Sequence, residues 1–435
     1  MSGTANGVAG RAARTVRKVR RGAGRAALWL VGSANRRRAG RAPRPDTRTV
    51  RILLLHAYGM GGTIRTVFNL AGYLARDRDV EIISAVRTKA EPFFELPPGV
   101  RLTTLDDRTT PRAPLAWLLS RFRARLVPKD EKAYRSFNLY TELRLVRYLR
   151  SLRGGTVIAT RPAFTLITSL FAPPEVITIG QEHVTLESHS PRMRGLFRRR
   201  YGRLDAFVTL TEADLGQYGE LLKANPPRRL LRIPNAIPPL AGSTSSLDRK
   251  VAVSVGRMVY AKGFDLLVGA WRRVADAHPD WVLRIYGGGT PARERRLRDR
   301  IAKAGLTGKV QLMGSTPDIG SAMSEASMYV LSSRYEGFGM TILEAMSKGV
   351  PVAAFDCPHG PREIMRHGYD GLLVRPAKPA VLAQAVRRLI EDEELRHKLG
   401  DAALRTSSAY TLDAVGRQWD ALLADLADAS AHPGR

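Results

Sequence analysis

Two glutamates with seven residues between them, Glu336 and Glu344, stand in the segment SRYEGFGMTILEAMSKG and hold the most legible chemistry of this 435-residue chain. Gly337 and Gly339 permit a close turn, and Met340 opens a helical pattern whose first N–H groups and positive dipole end suit an anion. Both carboxylates can face one cleft and accept hydrogen bonds from vicinal hydroxyls, which suits a sugar or a ribose. A plainer account serves each glutamate alone, because an acid near a helix N-terminus stabilises it by about 0.3–1 kcal/mol. Upstream, VGRMVYAKGF puts Arg257 and Lys262 just past a continuous apolar run. A planar guanidinium and a mobile ammonium there suit a diphosphate, although ordinary loop cations share that spacing.

Such residues need a scaffold, and the hydropathy pattern supplies one. Val50 to Ala57 (VRILLLHA) is predicted as a buried strand, followed by YGMGGT and a helical pattern through Leu74. Further strands are expected at 80–86, 156–160, 176–180, 206–211 and 230–234, with helices over 134–152 and 192–204 among the segments between them. Residues 106–132, broken by Pro111, Pro114 and Pro128, match no element. A second series starts at 251–256 and runs through WVLRIYG, KVQLMG, MYVLSS, PVAAFD and GLLV, with helices over 264–277, 292–304 and near 318–326. Buried strands alternating with helices require a parallel sheet covered on both faces. The fold class is α/β, two Rossmann-like doubly wound halves in tandem. Expected limits are a basic tail over 1–48, an N-terminal domain over 49–237 and a Pro/Gly/Ser-rich linker over 238–249. A C-terminal domain follows over 250–395, and helices over 396–435 close it or pack back on the first domain.

GRMVYAKG followed by EGFGMTILEAM resembles the nucleotide-sugar domain of family 4 retaining glycosyltransferases (glycosyl transferases group 1) of the GT-B fold, whose two doubly wound domains face across a cleft. The likeness spans roughly residues 50–425 and is strongest over 251–376. It implies that Glu336 contacts the transferred sugar, Glu344 the ribose, and Arg257 and Lys262 the diphosphate. Met340 and Thr341 would offer backbone amides to phosphate, with Gly339 allowing close approach. Gly61 and Gly62 resemble the family's glycine loop, which nears the diphosphate from the acceptor side; a bare tight turn is the other account. His183 in GQEHVTLE matches a histidine near the reacting carbon, a role that competes with capping or core packing. Glu182 beside it is expected to point the other way. Asn235 in IPNAI resembles the family's domain junction, where Ala236 departs from a common glycine.

The implied reaction is retaining transfer of a hexose-type sugar from a nucleotide diphosphate-sugar, a UDP-sugar by family precedent, to a glycan, polyol-phosphate polymer or lipid-linked acceptor. The donor is a co-substrate, and neither a further cofactor nor an obligatory metal is implied. DCPHGPREI and DGLLV are similar to members acting on cell-surface polymers and lipid-linked sugars. Cys357 and His359 in that stretch are too few for a metal site.

Lys+Arg number 70 against 40 Asp+Glu, a formal +30 with a sequence pI near 11.0. That field attracts polyanions or an anionic membrane face. Residues 1–48 hold a dense arginine cluster with the single acid Asp46, and Trp29 and Leu30 lie between arginines. An interfacial anchor suits that arrangement better than a secretion signal. Arg194, Arg198 and Arg199 in PRMRGLFRRRY suit acceptor phosphates or a membrane, as they suit a solvated basic helix. One cysteine forms no internal disulfide, so a cytoplasmic protein peripheral to the inner membrane face is expected. Nucleic acid is the weaker partner, since no RNA-binding aromatic signature is present. The alternatives are a basic membrane- or nucleic-acid-binding protein on an inactive transferase fold, and a sugar-nucleotide epimerase.

Overall fold

The computed structural model describes residues 48–431, and the anchor expected around Trp29 lies outside them. Strands β1 (Thr49–Leu54), β2 (Asp79–Arg87), β3 (Val100–Asp107), β4 (Thr156–Ala159), β5 (Ile177–Gln181), β6 (Ala206–Thr209) and β7 (Arg229–Arg232) form one parallel sheet. Its order is β3-β2-β1-β4-β5-β6-β7. Strands β8 (Val251–Val255), β9 (Val282–Tyr286), β10 (Val310–Gly314), β11 (Met328–Leu331), β12 (Val352–Phe355) and β13 (Gly371–Val374) form a second, ordered β10-β9-β8-β11-β12-β13. In each sheet the order reverses beside the first strand, at β1/β4 and at β8/β11. Open parallel sheets bind ligands outside the carboxyl ends of their strands at such a switch point. The loops after β1, β4, β8 and β11 therefore border the candidate ligand crevice.

Local sequence explains why these elements cover the sheets. The helix Gly62–Leu74 buries Ile64, Val67, Phe68, Ala71 and Leu74, the spacing of one helical face, against a core that includes Ile52 and Ile82. Each fully buried side chain of this size is worth about 1.5–3 kcal/mol. The helix Phe264–Ala277 does the same in the second half with Leu267, Val268, Trp271 and Val274.

The last helix, Leu412–Ala431, belongs by packing to the first sheet. Val415, Trp419, Leu422, Leu423 and Leu426 join the core that holds Ile52 and Phe68. Asp420 accepts from Tyr73 Oη and Arg78 Nη1, each at 2.7 Å, and Arg229 bonds Asp425 at 2.7 Å. Gly416 permits this approach: a Cβ there would lie 2.3 Å from the Tyr73 ring.

Three segments differ from the sequence reading, one of them the helix Pro114–Ser120 within the stretch that matched no element. Val100–Asp107 is a strand that hydropathy did not mark, because an edge strand with only Val100, Leu105 and Asp106 buried has no continuous apolar run. The helix expected over 134–152 is a 3₁₀ turn at Tyr134–Ser136 and a helix over Leu139–Ser151, divided by Asn138, which caps the latter by accepting from the Thr141 N–H.

Candidate active site

The loop after β8 turns through the 3₁₀ segment Tyr260–Lys262, and Gly263 closes it at φ 64° and starts the helix Phe264–Ala277. This turn folds Lys262 back over Gly256, where a Cβ would lie 3.2 Å from the lysine stem. Lys262 Nζ meets Glu336 Oε1 at 2.5 Å, and Ser333 Oγ donates to the same oxygen at 2.6 Å. The carboxylate from the loop after β11 is thus positioned by a cation from the loop after β8. Arg257, in the same loop after β8, is exposed.

Gly339, at φ 103° and ψ 46°, makes the left-handed turn into the helix Met340–Met346, a conformation that strains any side chain. Thr341 Oγ1 is engaged by Tyr329 Oη at 2.7 Å. One turn into the helix, Glu344 is buried and is met at 3.3 Å by Arg65 Nη1 from the first domain. Burial raises the Glu344 carboxyl above its ordinary value, and the charges of Arg65 and Lys262 act against that rise. Arg65 was not singled out in the sequence. It sits three residues after Gly62, and a cation that close to a glycine loop is the one signal that pointed to it.

Gly61 and Gly62 lead into the first helix. A Cβ on Gly62 would meet nothing within 4 Å, and one on Gly61 only Ile64, at 3.9 Å. Gly61 has φ −168°, open to any residue, so neither backbone strain nor packing requires glycine at that position.

His183 follows β5, and its carbonyl oxygen faces the Glu336 loop: a Cβ on Gly337 would stand 3.3 Å from it. His183 and Gln181 line a small cavity with Thr66, Asn235, Gly416 and Trp419. His183 Nε2 and Gln181 Oε1 are buried without a hydrogen-bond partner among the described residues. Burial lowers the His183 imidazole to about 4 against the opposing charge of Glu182, with the charge of Arg161 adding a smaller fall, so it is neutral at physiological pH. Glu182 turns away into the first domain, where it accepts from His189 at 3.1 Å and Tyr218 at 2.7 Å. Burial opposes its charge, and those bonds outweigh it, holding the carboxyl below its usual range.

Cys357 and His359, also named from the sequence, lie in the loop after β12. Cys357 is buried, and burial with the nearby Glu336 charge pushes its thiol up to about 12. His359 lies 3.6 Å from Glu187 of the first domain. Arg194 is committed to its own chain, donating to the carbonyls of His189 at 3.0 Å and Glu187 at 2.9 Å. Arg198 and Arg199 are exposed. Three ligand-type side chains that converge, Asp248, Glu393 and His397, lie outside the loops of the cleft.

Residues 241–406 match the family model Glycosyl transferases group 1. That stretch contains Arg257, Lys262, Glu336 and Glu344. The chain is 35% identical over 89% of its length to an exopolysaccharide phosphotransferase of Streptomyces coelicolor, of which it spans only 42%. It is 27% identical over 66% of its length to the amylovoran biosynthesis glycosyltransferase AmsD of Erwinia amylovora, 83% of which is covered. The fold is GT-B. Staphylococcus aureus TarM, solved with UDP and α-GlcNAc-glycerol, superposes with a TM-score of 0.67 at 15% identity, covering 87% of this chain and all of that one (100%). Sucrose-phosphate synthase of Thermosynechococcus elongatus gives 0.67 at 19% identity over 88% of this chain and 100% of its own.

Proposed function

We propose that this chain is a retaining glycosyltransferase that moves a hexose-type sugar from a UDP-sugar to a glycan of the cell envelope. The observation that carries the reading is the Lys262–Glu336 pair, 2.5 Å apart, set at the switch point of the second sheet and facing the His183 carbonyl of the first. Support comes also from the matched family model and from the amylovoran biosynthesis glycosyltransferase of Erwinia amylovora. The domain limits 49–237 and 250–395 belong to the same proposal.

In this reading Arg257 and Lys262 take the leaving diphosphate, with the amides of Met340 and Thr341. Glu336 holds the sugar and Glu344 the ribose. Gly61 and Gly62 leave open the space through which the diphosphate is approached, which gives a reason for glycines that neither strain nor packing requires. The acceptor oxygen attacks the anomeric carbon from the face the diphosphate leaves, the C1–O bond breaks, and the acceptor proton passes to the departing phosphate oxygen. Fixed cations carry the developing negative charge, so a metal ion is not needed for that task. Neutral His183 lies beside the sugar subsite. The protein works at an anionic membrane face, on polymeric, polyol-phosphate or lipid-linked acceptors.

A screen of nucleotide sugars by thermal shift tests the donor, since a ligand that binds the native state raises apparent stability. Turnover of the responding donor then separates two chemistries. Release of UDP with retained anomeric configuration fits glycosyl transfer. Release of UMP would mean that the sugar leaves with its phosphate, the chemistry named for the longer Streptomyces relative, and would replace this reading.

A further inference from the structure

The helix Pro114–Ser120, in the stretch that matched no element, buries none of its residues. Leu115, Trp117, Leu118 and Phe122 stand 68%, 52%, 48% and 50% exposed along it and the turn that follows. Scattered single apolar residues on a surface need no explanation, but four within eight positions form a patch. Its surroundings are as one-sided. From residue 121 to residue 150 every one of nine Lys and Arg side chains is exposed, whereas of three acids only Asp130 is. The Arg121 guanidinium lies 4.5 Å over the Trp117 ring.

The fold holds this face out. Buried Glu142, on the helix Leu139–Ser151, accepts from the backbone N–H groups of Arg125, Leu126 and Val127 at 2.7–3.1 Å, fixing the chain that leaves the patch. The Leu139 N–H donates to the Phe122 carbonyl at 2.9 Å. Buried Glu131 binds Arg161, in the loop after β4, at 3.0 Å. Asp130 accepts from Ser190 Oγ at 3.2 Å, at the start of the basic helix Pro191–Arg200. Because the segment leaves the carboxyl end of β3, it lies on the same edge of the first sheet as the cleft loops.

We propose that Leu115, Trp117, Leu118 and Phe122, with Arg121 over the Trp117 ring and the exposed cations that follow in the chain, form a docking face for an anionic lipid bilayer. The apolar side chains enter the headgroup boundary and the arginines meet lipid phosphate. Nucleic acid is disfavoured as occupant because Leu115 and Leu118 offer neither a stacking plane nor a hydrogen bond to bases. The face extends the membrane part of the proposed function to a built surface of the first domain. It requires no catalytic step, so its failure and the failure of the transferase reading are read in different assays.

Trp117 supplies the probe. Of the five tryptophans, Trp271, Trp281 and Trp419 are 1–5% exposed, so full-length protein carrying Trp29→Phe reports on Trp117. Its emission is expected to shift to the blue and to be quenched by brominated phosphatidylcholine vesicles containing phosphatidylglycerol, and not by brominated phosphatidylcholine alone. Leu115→Ser, Leu118→Ser and Phe122→Ser together should cut binding by about tenfold or more while circular dichroism stays unchanged, because those side chains are 48–68% exposed. Trp117 emission that stays unshifted and unquenched on vesicles the chain does bind would overturn the proposal and leave docking to the first 47 residues. Equal quenching by neutral vesicles, a blue shift produced instead by single-stranded DNA, or a dimer that the triple substitution dissolves would each overturn it as well.

Discussion

Arg65, from the first domain, reaches 3.3 Å from Glu344, from the second, across the cleft between the two sheets. The carboxylate is nearly fully buried and the guanidinium about one quarter exposed, so solvent screens the pair only in part. In the proposed reaction Glu344 receives a ribose, so a donor must enter where the two domains already hold each other. Arg65→Ala leaves that carboxylate without its nearest cation and should cost about 1–3 kcal/mol, by the penalty of an unpaired buried group. In the Arg65→Ala background, Glu344→Gln should recover part of the loss. A double-mutant cycle by urea unfolding is expected to show coupling of about 1 kcal/mol, and strict additivity would deny the pair any energetic role.

Glu336→Gln should reduce transfer by about 10²–10³-fold, the size of effect seen when one electrostatic group aimed at the reacting centre is lost. The thermal melt should hardly move, because the Lys262 side chain keeps partial exposure to water. Activity near that of the parent protein, with normal folding, would remove Glu336 from the reacting centre.

Stability should depend on pH through His183 with a definite sign. Its folded value, about 4, lies below the ordinary 6.5, so as pH falls the unfolded chain takes up the proton first. The associated stability is complete above pH 6.5 and is lost as pH falls from 6.5 towards 4. Glu344 acts with opposite sign, since a raised carboxyl binds its proton first in the native state. His183→Phe should flatten the fall in Tm between pH 6.5 and 4, and an unchanged slope would place its cause elsewhere.

Cys357 should be inert in the native protein. With the thiol pushed up to about 12 from 9.0, its thiolate is about a thousandfold scarcer at pH 8, and burial also blocks access. Native protein should therefore react with a disulfide reagent more slowly than urea-unfolded protein by at least that factor. Rapid native labelling would show that the loop beside Glu336 opens.

Trp419→Ala tests whether the last helix completes the first domain. The indole is 1% exposed in the core with Ile52 and Phe68, so the substitution should cost about 3–5 kcal/mol. Amide exchange should then rise in β1 and in the helix Gly62–Leu74 rather than in the second sheet. Exchange confined to the second sheet would contradict the packing.

The sequence alone determined the two series of buried strands, because continuous apolar runs alternating with helices leave a parallel sheet as the way to cover both faces. All six strands read in the second half are present there, with Lys262 and Glu336 in loops that follow two of them, whereas the order that makes β8/β11 a switch point came only from the structure. β3 escaped because an edge strand buries too little to show a run, and Asp106 within it is buried by salt bridges to Arg108 and Arg112 rather than by hydrophobicity. Only the tertiary structure decided that Arg65 meets Glu344, 279 residues away: a cation on a helix face carries no mark of the domain that will close over it. The same holds for the exposed patch at Trp117, since hydropathy along a chain cannot tell an apolar residue that finds a core from one the fold holds out to solvent.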